Sequence, residues 1–308
     1  MQIYPHIQPL SPAPQGGCAL ALGYFDGLHI GHRAVVQAAV EWAAQNNAEP
    51  ALFTFKLPRV NSLKGRRLMS TEDKHAAAAA LGVRHYVVPE FEEIKGQTPE
   101  EFVRQLTEVL GARALFCGDN FTFGAKAAGN VELLLKLCAP RGVQVVVVPM
   151  AQYAGSTVSS TRIRQTLEEG DIPAANAMLG QPYAIHFPVQ HGKGLGHRLG
   201  VPTINQLYPE GFQMPKQGIY ITRVLLDGRW HPAATGLSSR PTVNDDAAQI
   251  TCETFITDYA GDLYGTQPRL EFYRYISPIR KFETLTELRE CIEDAARQAK
   301  DYFAQEQV

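Results

Sequence analysis

The sequence has few cysteines, no excess of charge of either sign and no long apolar run, and each shortage argues against a class of protein. Its five cysteines are an odd number, scattered between Cys18 and Cys291 without a C-x-x-C pair, unlike a disulfide framework or a zinc site. Lysine and arginine number 29 against 31 acidic residues, so no strong field favours long nucleic acid or an anionic membrane surface as the main partner. No lysine or arginine precedes Arg33, and no apolar stretch is long enough to span a bilayer. We therefore expect a soluble cytoplasmic protein.

The 308 residues, 45% of them hydrophobic, exceed what one core usually organises, which predicts two domains. The first part alternates strand-like apolar runs with segments of helical composition. The strand-like runs are 18–23, 51–55, 84–88, 112–117 and 143–149, and the helical segments are 31–47, 71–81, 98–110 and 130–137. This alternation predicts a doubly wound parallel α/β sheet that binds ligands beyond the carboxyl ends of its strands. The continuous apolar run near residue 145 indicates a strand covered on both faces.

The pattern changes near residue 180, where strand-like, turn-rich sequence begins. The later strand-like runs are 183–189, 218–226, 229–234, 250–257 and 270–276. Asp227-Gly228 between two of them is a hairpin signal, and Thr284 with Glu287 forms a capping box before a long amphipathic segment. We therefore predict an α/β domain over residues 1–182 and, over 183–308, a small antiparallel β-barrel with a C-terminal helix.

A glycine-rich turn, G-Y-F-D-G-L-H-I-G-H at residues 23–32, joins the first predicted strand to the first helix. Its glycines allow close approach of a ligand, and a helix N-terminus suits phosphate. His29 and His32 can face the same phosphate and stabilise charge that develops on it. Two alternatives stay open: the pair could bind a metal ion, or one histidine could only cap or pack locally.

Two other segments of the first half follow predicted strands. V-S-S-T-R-I-R at 158–164 opens a helix with hydroxyls and two arginines, which indicates an anion cradle. An ordinary helix cap is the alternative, although arginine there opposes the helix dipole. G-D-N-F-T-F-G at 118–124 mixes glycine, amide and aromatic residues, and a packed loop explains it almost as well.

The second half contains the densest glycine segment, residues 191–205. It is no P-loop, because neither Ser nor Thr follows Lys193; a phosphate-covering flap and a mobile hairpin loop are equally compatible with it. Thr203 and Asn205 supply a hydroxyl and an amide that suit a Mg²⁺–nucleotide complex. Glu271, in the alternating strand 269–276, is a candidate general base, but the residues alone favour a solvated strand glutamate that pairs with arginine.

The strings G-x-F-D-G-x-H-x-G-H, G-x-N-F-T-F-G and S-S-T-R-I-R resemble the adenylyltransferase half of bacterial bifunctional riboflavin kinase/FAD synthetases, within the H-x-G-H nucleotidylyltransferase superfamily. The resemblance implies that the FMN phosphate attacks the α-phosphorus of ATP and that pyrophosphate leaves. It implies that the two histidines hold the triphosphate, Arg164 the leaving phosphates and Asn120 the reacting group. The implied ATP-binding residues are Gly23, Phe25, His29, His32, Ser159, Ser160, Thr161, Arg162 and Arg164.

The glycine segment, P-T-x-N at 202–205, the segment 258–265 and L-E-F at 270–272 resemble the riboflavin kinase module of the same enzymes, a six-stranded barrel. This resemblance implies transfer of the ATP γ-phosphate to the terminal ribityl hydroxyl of riboflavin, with Glu271 accepting the hydroxyl proton. It implies that Thr203 and Asn205 hold Mg²⁺. The implied ATP-binding residues are Gly192, Lys193, Gly194, Gly196, Thr203 and Asn205.

The sequence departs from the family pattern at a few positions. Lys56–Arg59 stands where relatives carry a P-h-P turn, Ile204 and His197-Arg198 alter the kinase loop, and Ser277–Arg280 replaces an Arg-Asp/Pro stretch. We expect an enzyme that makes FAD from riboflavin, FMN and ATP with Mg²⁺, needing neither nucleic acid nor membrane, with a homo-oligomeric state left open. The alternatives are a flavin-binding regulator that lost one activity and a class I aminoacyl-tRNA synthetase fragment, which shares H-I-G-H but needs a K-M-S-K-S-type loop.

Overall fold

The computed structural model describes residues 1–57, 65–192, 200–240, 249–259 and 261–305, and the chain divides into two compact units. The N-terminal unit consists of residues 1–65 and 71–160, and the C-terminal unit of residues 66–70 and 161–308. The short segment 66–70 thus packs with the C-terminal unit although it comes early in the chain. The expected domain boundary between residues 182 and 183 stays a prediction.

Six parallel strands form the sheet of the N-terminal unit: β1 Gln2–Tyr4, β2 Cys18–Leu22, β3 Glu49–Phe53, β4 His85–Val87, β5 Ala112–Gly118 and β6 Gln144–Val148. Their order is β1-β4-β3-β2-β5-β6, and every pair is parallel. The strand order reverses between β2 and β5, which confirms the doubly wound fold. The carboxyl ends of these two strands form its topological switch point, where such sheets bind ligands.

The α-helices that accompany this sheet in the described part of the unit are α1 Ile30–Gln45, α2 Thr71–Ala80, α3 Phe91–Ile94, α4 Pro99–Arg104 and α5 Val131–Cys138. All five residues of β2 are buried, and alternate residues pack into two hydrophobic clusters on opposite faces. Strand β6 is an edge strand with half-buried valines, and both of its faces are covered as expected: Val145 packs against one cluster, and Val146 and Val148 pack against the other. A small hairpin follows, β7 Gln152–Tyr153 with β8 Ser156–Thr157.

The C-terminal unit begins with two helices and continues with a curled antiparallel sheet of seven strands. Its elements are α6 Ser160–Glu169, α7 Ile172–Leu179, β9 Tyr183–Ile185, β10 Val189–Gln190, β11 Thr203–Leu207, β12 Gly218–Leu226, β13 Arg229–Arg240, β14 Gln249–Ile256, β15 Arg269–Ser277 and α8 Leu285–Gln305. The strand order is β10-β11-β14-β13-β12-β15-β9. The sheet therefore has one strand more than the six-stranded barrel that the resemblance implies.

Helix α8 packs on one face of this sheet through Ala295, Ala296, Ala299 and Phe303. The predicted hairpin between β12 and β13 is present, and positive φ angles at Asp227 (47°) and Gly228 (76°) make its tight turn. Of the helices in the described ranges, none is both long and apolar enough to cross a membrane.

Candidate functional site

The glycine-rich turn 23–32 leaves the carboxyl end of β2 in a strained conformation. Phe25 (φ 54°), Gly27 (φ 77°) and Leu28 (φ 40°) all adopt positive φ, which costs non-glycine residues energy. Phe25, Asp26 and Leu28 are buried, so packing holds the strained backbone in place. The turn is thus a fixed structure that positions the residues after it at the N-terminus of α1.

The two histidines of the turn form one unit at this helix N-terminus. Their rings stack with centroids 3.6 Å apart, and His29 Nδ1 accepts a hydrogen bond from the backbone N–H of His32 at 3.3 Å. The Phe25 ring meets the His32 ring edge-on at 5.3 Å. A side chain at position 31 would bring a Cβ within 3.3 Å of the His29 ring, so glycine there leaves room for the pair.

Both histidines are neutral imidazoles at neutral pH. Burial lowers the pKa of His29 to about 4. Burial, and then the positive charges of His29 and Lys74, hold the pKa of His32 well below its ordinary value. His29 Nδ1 is an acceptor, so its proton lies on Nε2, and His32 Nδ1 is buried without a hydrogen-bond partner among the described residues. The pair can therefore offer hydrogen bonds to an anionic oxygen.

The second predicted segment reaches the same turn through Ser160, whose hydroxyl donates to the carbonyl of Asp26 at 3.1 Å. Ser159 precedes it in the N-terminal unit, whereas Thr161, Arg162 and Arg164 belong to the C-terminal unit. Ser160 thus stands at the start of α6, as the capping alternative expects, and it also contacts the turn that holds the histidines.

The third predicted segment follows β5, the other strand of the switch point. Asn120 lies over the end of that strand, because a Cβ on Gly118 would be 3.3 Å from Asn120 Oδ1. Phe121 and Phe123 stack at 5.7 Å, and Phe123 is part of the core. Packing therefore explains the aromatic residues, while Asn120 is exposed at the carboxyl edge.

Sequence reasoning missed Lys74 of α2 as part of this region. Its Nζ donates to the Tyr24 carbonyl at 3.2 Å and lies 4.9 Å from the centre of the Tyr24 ring. Thr54 Oγ1 donates to the same carbonyl at 2.9 Å. Lys56, from the segment that departs from the family pattern, forms an exposed ion pair with Glu90 at 3.5 Å. Residues 58 and 59 of that segment lie outside the described ranges.

In the C-terminal unit, Gly192 and Asn205 form a second candidate site. Asn205 is buried in β11, and its Oδ1 has no hydrogen-bond partner among the described residues. A Cβ on Gly192 would lie 2.3 Å from Asn205 Nδ2, so only glycine allows this close approach. Lys193, Gly194 and Gly196, which were predicted to cover ATP phosphates, lie outside the described residues.

A magnesium ion fits the donors at this second site. The Asn205 amide oxygen is buried, has no partner among the described residues and is a hard ligand of the kind that Mg²⁺ prefers. Thr203 lies two residues before it on the same face of β11. Within the described ranges, no group of three or more His, Cys, Asp or Glu side chains is placed to hold a metal ion. The remaining ligands would then be phosphate and water oxygens, as is usual for Mg²⁺.

The sheet brings Glu253 to this site, a residue that sequence reasoning missed. Glu253 pairs directly with Asn205 across β11 and β14, so both side chains lie on one face of the sheet. It is the sole carboxylate of the segment 250–257, and this is the sequence feature that could have identified it as a candidate. Strand register, which brings it opposite Asn205, could not be obtained from the pattern alone.

Glu271 lies four strands away from Asn205 in the sheet order and is 3% exposed. Its carboxylate accepts hydrogen bonds from Arg269 Nε at 2.7 Å, Arg223 Nε at 2.9 Å and the Tyr273 hydroxyl at 2.8 Å. The Arg223 guanidinium in turn lies 4.1 Å from the Trp230 ring centre. The pairing with arginine that the residues alone favoured is confirmed, but the expectation of a solvated glutamate was wrong, because Glu271 is buried.

The two candidate sites lie in different units, one in an α/β unit with a doubly wound sheet and one in an antiparallel β unit. The fold and the sites thus define an enzyme class: two-unit transferases that act on nucleotide phosphates. Residues 11–162 match the FAD synthetase family and residues 179–303 the riboflavin kinase family.

Individual relatives span nearly the whole chain. The bifunctional riboflavin kinase/FMN adenylyltransferase of Listeria monocytogenes is 31% identical over 291 residues, 92% of either chain. The protein of the same name from Escherichia coli K12 is 32% identical over 312 residues, 98% of either chain. This chain belongs to the family of bifunctional riboflavin kinase/FMN adenylyltransferases.

A solved structure entitled "Crystal Structure of Macrolide-efflux Protein from Streptococcus pneumoniae" shares the fold. It matches with a TM-score of 0.84 at 22% identity and covers 95% of this chain and 98% of its own. At this identity the likeness concerns the fold alone. Family membership excludes the aminoacyl-tRNA synthetase alternative.

Proposed function

We propose that the C-terminal unit phosphorylates riboflavin to FMN and that the N-terminal unit adenylylates FMN to FAD, each with ATP. The observation that carries this proposal is a matched pair of buried polar atoms that have no hydrogen-bond partner among the described residues, His32 Nδ1 and Asn205 Oδ1, one in each unit. A Cβ on Gly31 would crowd the His29 ring that stacks on His32, and a Cβ on Gly192 would clash with the Asn205 amide, so a glycine leaves room at each site. Leaving a buried polar atom unpaired costs about 1–3 kcal/mol, so a ligand that pairs it gains free energy.

In the adenylylation, a phosphate oxygen of FMN attacks the α-phosphorus of ATP, and the bond to the pyrophosphate oxygen breaks. No covalent enzyme intermediate is needed, so the unit acts by positioning and by stabilising charge. The neutral His29 and His32 rings donate hydrogen bonds to triphosphate oxygens, and the N–H groups of α1 point to the same place. Arg164 stabilises the pyrophosphate, and Asn120 orients the reacting phosphate.

In the phosphorylation, the terminal ribityl hydroxyl of riboflavin attacks the γ-phosphorus of ATP, and ADP leaves. Thr203 and Asn205 hold Mg²⁺, which would neutralise charge on the phosphates. We assign the acceptor of the hydroxyl proton to Glu253, because it faces Asn205 across the strand pair. The competing prediction, Glu271, requires a carboxylate that already accepts three hydrogen bonds from two arginines and a tyrosine.

The free state of all five cysteines supports a reducing, cytoplasmic setting, which we include in the proposal. Riboflavin, FMN and ATP are the proposed partners.

The two activities are tested by incubating the purified full chain with riboflavin, ATP and Mg²⁺ and separating FMN from FAD by chromatography. We expect both products from the unaltered protein, and accumulation of FMN without FAD from His32→Ala. Formation of only one product by the unaltered protein would instead support a flavin-binding regulator with one activity lost. Unchanged FAD yield in His32→Ala would contradict the role of the first site.

The base is identified by comparing Glu253→Gln with Glu271→Gln. We expect the first to lower riboflavin kinase kcat by about 10²-fold or more, on the scale of a lost general base. The second removes a buried charge from between Arg223 and Arg269, so we expect a lower melting temperature with a smaller loss of kcat. The opposite order of kcat losses, with both variants folded, would return the role to Glu271.

A further inference from the structure

Two side chains from different elements hold one backbone carbonyl of the glycine-rich turn. Lys74 Nζ, from α2, donates to the Tyr24 carbonyl at 3.2 Å, and Thr54 Oγ1, just after β3, donates to the same oxygen at 2.9 Å. All three residues belong to the N-terminal unit. A carbonyl oxygen has two lone pairs, so it can accept both hydrogen bonds at once.

This carbonyl belongs to the peptide group between Tyr24 and Phe25. A peptide group is planar, so fixing its oxygen limits the rotation on both sides of it, including the φ angle of Phe25. That angle is 54°, in the left-handed region that is unfavourable for a bulky residue. The two donors therefore support the strained conformation at the residue where it begins.

The Phe25 side chain connects this peptide group with the histidine pair. It is buried, and its ring meets the His32 ring edge-on with 5.3 Å between the ring centres. A Cβ on Gly23 would lie 3.0 Å from the Phe25 ring, so the ring fits closely against the backbone. Closely packed side chains transmit a displacement to their neighbours, so a rotated peptide group would move the His32 ring as well.

The positive charge of Lys74 also lies beside the histidine pair. Its Nζ is 4.9 Å from the centre of the Tyr24 ring, a favourable cation–π contact, and α2 packs against residues 26–28 of the turn. After burial and His29, this charge is a further cause of the low pKa of His32. A charged donor forms a stronger hydrogen bond than a neutral hydroxyl does, so we expect the lysine to contribute more than the threonine.

We propose that Lys74 is a positioning residue for adenylyl transfer, which acts together with Thr54 through the Tyr24 peptide group on the His29–His32 pair. The inference rests on the proposed role of these histidines at the triphosphate of ATP. Lys74 itself touches the turn and not the reacting atoms. A misplacement of about 1 Å in the groups around a reaction costs on the order of 10²-fold in rate.

The test uses the full chain with Lys74→Met, which keeps a long apolar side chain and removes the donor and the charge. We expect kcat for FAD formation from FMN to fall by about 10–100-fold, with the KM for ATP within about threefold. Riboflavin kinase kcat is expected to stay within about twofold, because its candidate residues belong to the other unit. Lys74→Arg keeps a charged donor, so we expect it to restore most of the kcat.

Thr54→Val separates the role of the carbonyl from the role of the charge, because it removes a neutral donor with little change of shape. We expect its kcat for FAD formation to fall by about 2–10-fold, the scale of one neutral hydrogen bond. In the double variant with Lys74→Met, the carbonyl loses both donors. The combined loss is therefore expected to exceed the product of the two single losses.

Lys95→Met is the matched control, because Lys95 is an exposed lysine of the same unit that pairs with Glu92 on the surface. Its FAD formation is expected to be unchanged.

Three outcomes overturn the proposal. The first is a Lys74→Met kcat for FAD formation within about twofold of the unaltered protein. The second is a raised KM for ATP with unchanged kcat, which would make Lys74 a ligand of ATP. The third is unchanged FAD formation in Thr54→Val, which decides the question even where Lys74→Met is unstable. Failure of the proposed function itself has a different signature, because the unaltered chain would then form no FAD from FMN.

Discussion

Replacing Gly192 by alanine is expected to damage the riboflavin kinase reaction alone. The added Cβ would lie 2.3 Å from Asn205 Nδ2 and 2.9 Å from Asn205 Oδ1, well inside van der Waals contact. Gly192 has no positive φ, so the variant suffers no backbone strain and the clash is the main effect. The Asn205 amide or the glycine loop must therefore move by about 1 Å.

The size of the effect follows from that displacement. Asn205 is proposed to hold Mg²⁺ and ATP, and a shift of about 1 Å in such a group is worth about 10²-fold in rate, or about 2.7 kcal/mol of activation free energy. We expect riboflavin kinase kcat/KM to fall by 10–100-fold, mainly through a raised KM for Mg²⁺–ATP. Adenylylation of supplied FMN is expected to stay within about twofold, because its candidate residues are elsewhere.

The assay measures both reactions separately, with riboflavin or FMN as the starting flavin, over a range of Mg²⁺–ATP concentrations. Gly96→Ala is the control, since a Cβ there meets no atom within 4 Å. A Gly192→Ala protein with normal melting temperature and riboflavin kinase kcat/KM within about threefold of the unaltered protein would refute the assignment of Asn205 to the nucleotide site.

The other predictions concern stability. Burial lowers the His29 pKa to about 4 from an ordinary 6.5, so the unfolded chain binds more protons than the folded chain between these pH values. The free energy of unfolding therefore has its full value, as far as His29 is concerned, above pH 6.5 and decreases as the pH falls toward 4. His29→Gln should remove about 3 kcal/mol of pH dependence in denaturant unfolding, and an unchanged slope would contradict the burial effect. Thr98→Ala should lower the free energy of unfolding by about 1 kcal/mol, because it breaks the reciprocal hydrogen bonds with Glu101 at the start of α4. A loss below about 0.3 kcal/mol would argue against the cap. Thr235→Val should cost about 1–3 kcal/mol, since its buried hydroxyl links Thr222 and Thr254; equal midpoints in urea would refute this.

Local signals in the sequence were sufficient for much of the fold. Alternating apolar runs and helical segments gave the parallel sheet, and T-P-E-E gave the capping box of α4, which is confirmed. Strand β1 was missed because only Tyr4 of its three residues is buried, so no alternation is visible. The edge position of β6 was not predicted, because apolar composition alone does not distinguish an edge strand from a central one.

The candidate site residues also fall into two groups: those that local sequence patterns identified and those that they missed. Residues close together in the sequence, such as His29 and His32, were found because the turn and the helix place them locally. Glu253 was missed because its relation to Asn205 depends on strand register over nearly fifty intervening residues, which no local pattern encodes. The hydrogen bond from Lys74 to Tyr24 likewise joins residues that are distant in the chain.

The early segment 66–70, which packs with the later residues, has a practical consequence for dividing the gene. A shortened gene that ends after residue 160 encodes those five residues without their hydrogen-bonding neighbours at 211–213. One that begins at residue 161 encodes the neighbours without the five residues. Separate expression of the two activities would therefore work best with the five residues grafted onto the later piece, ahead of α6.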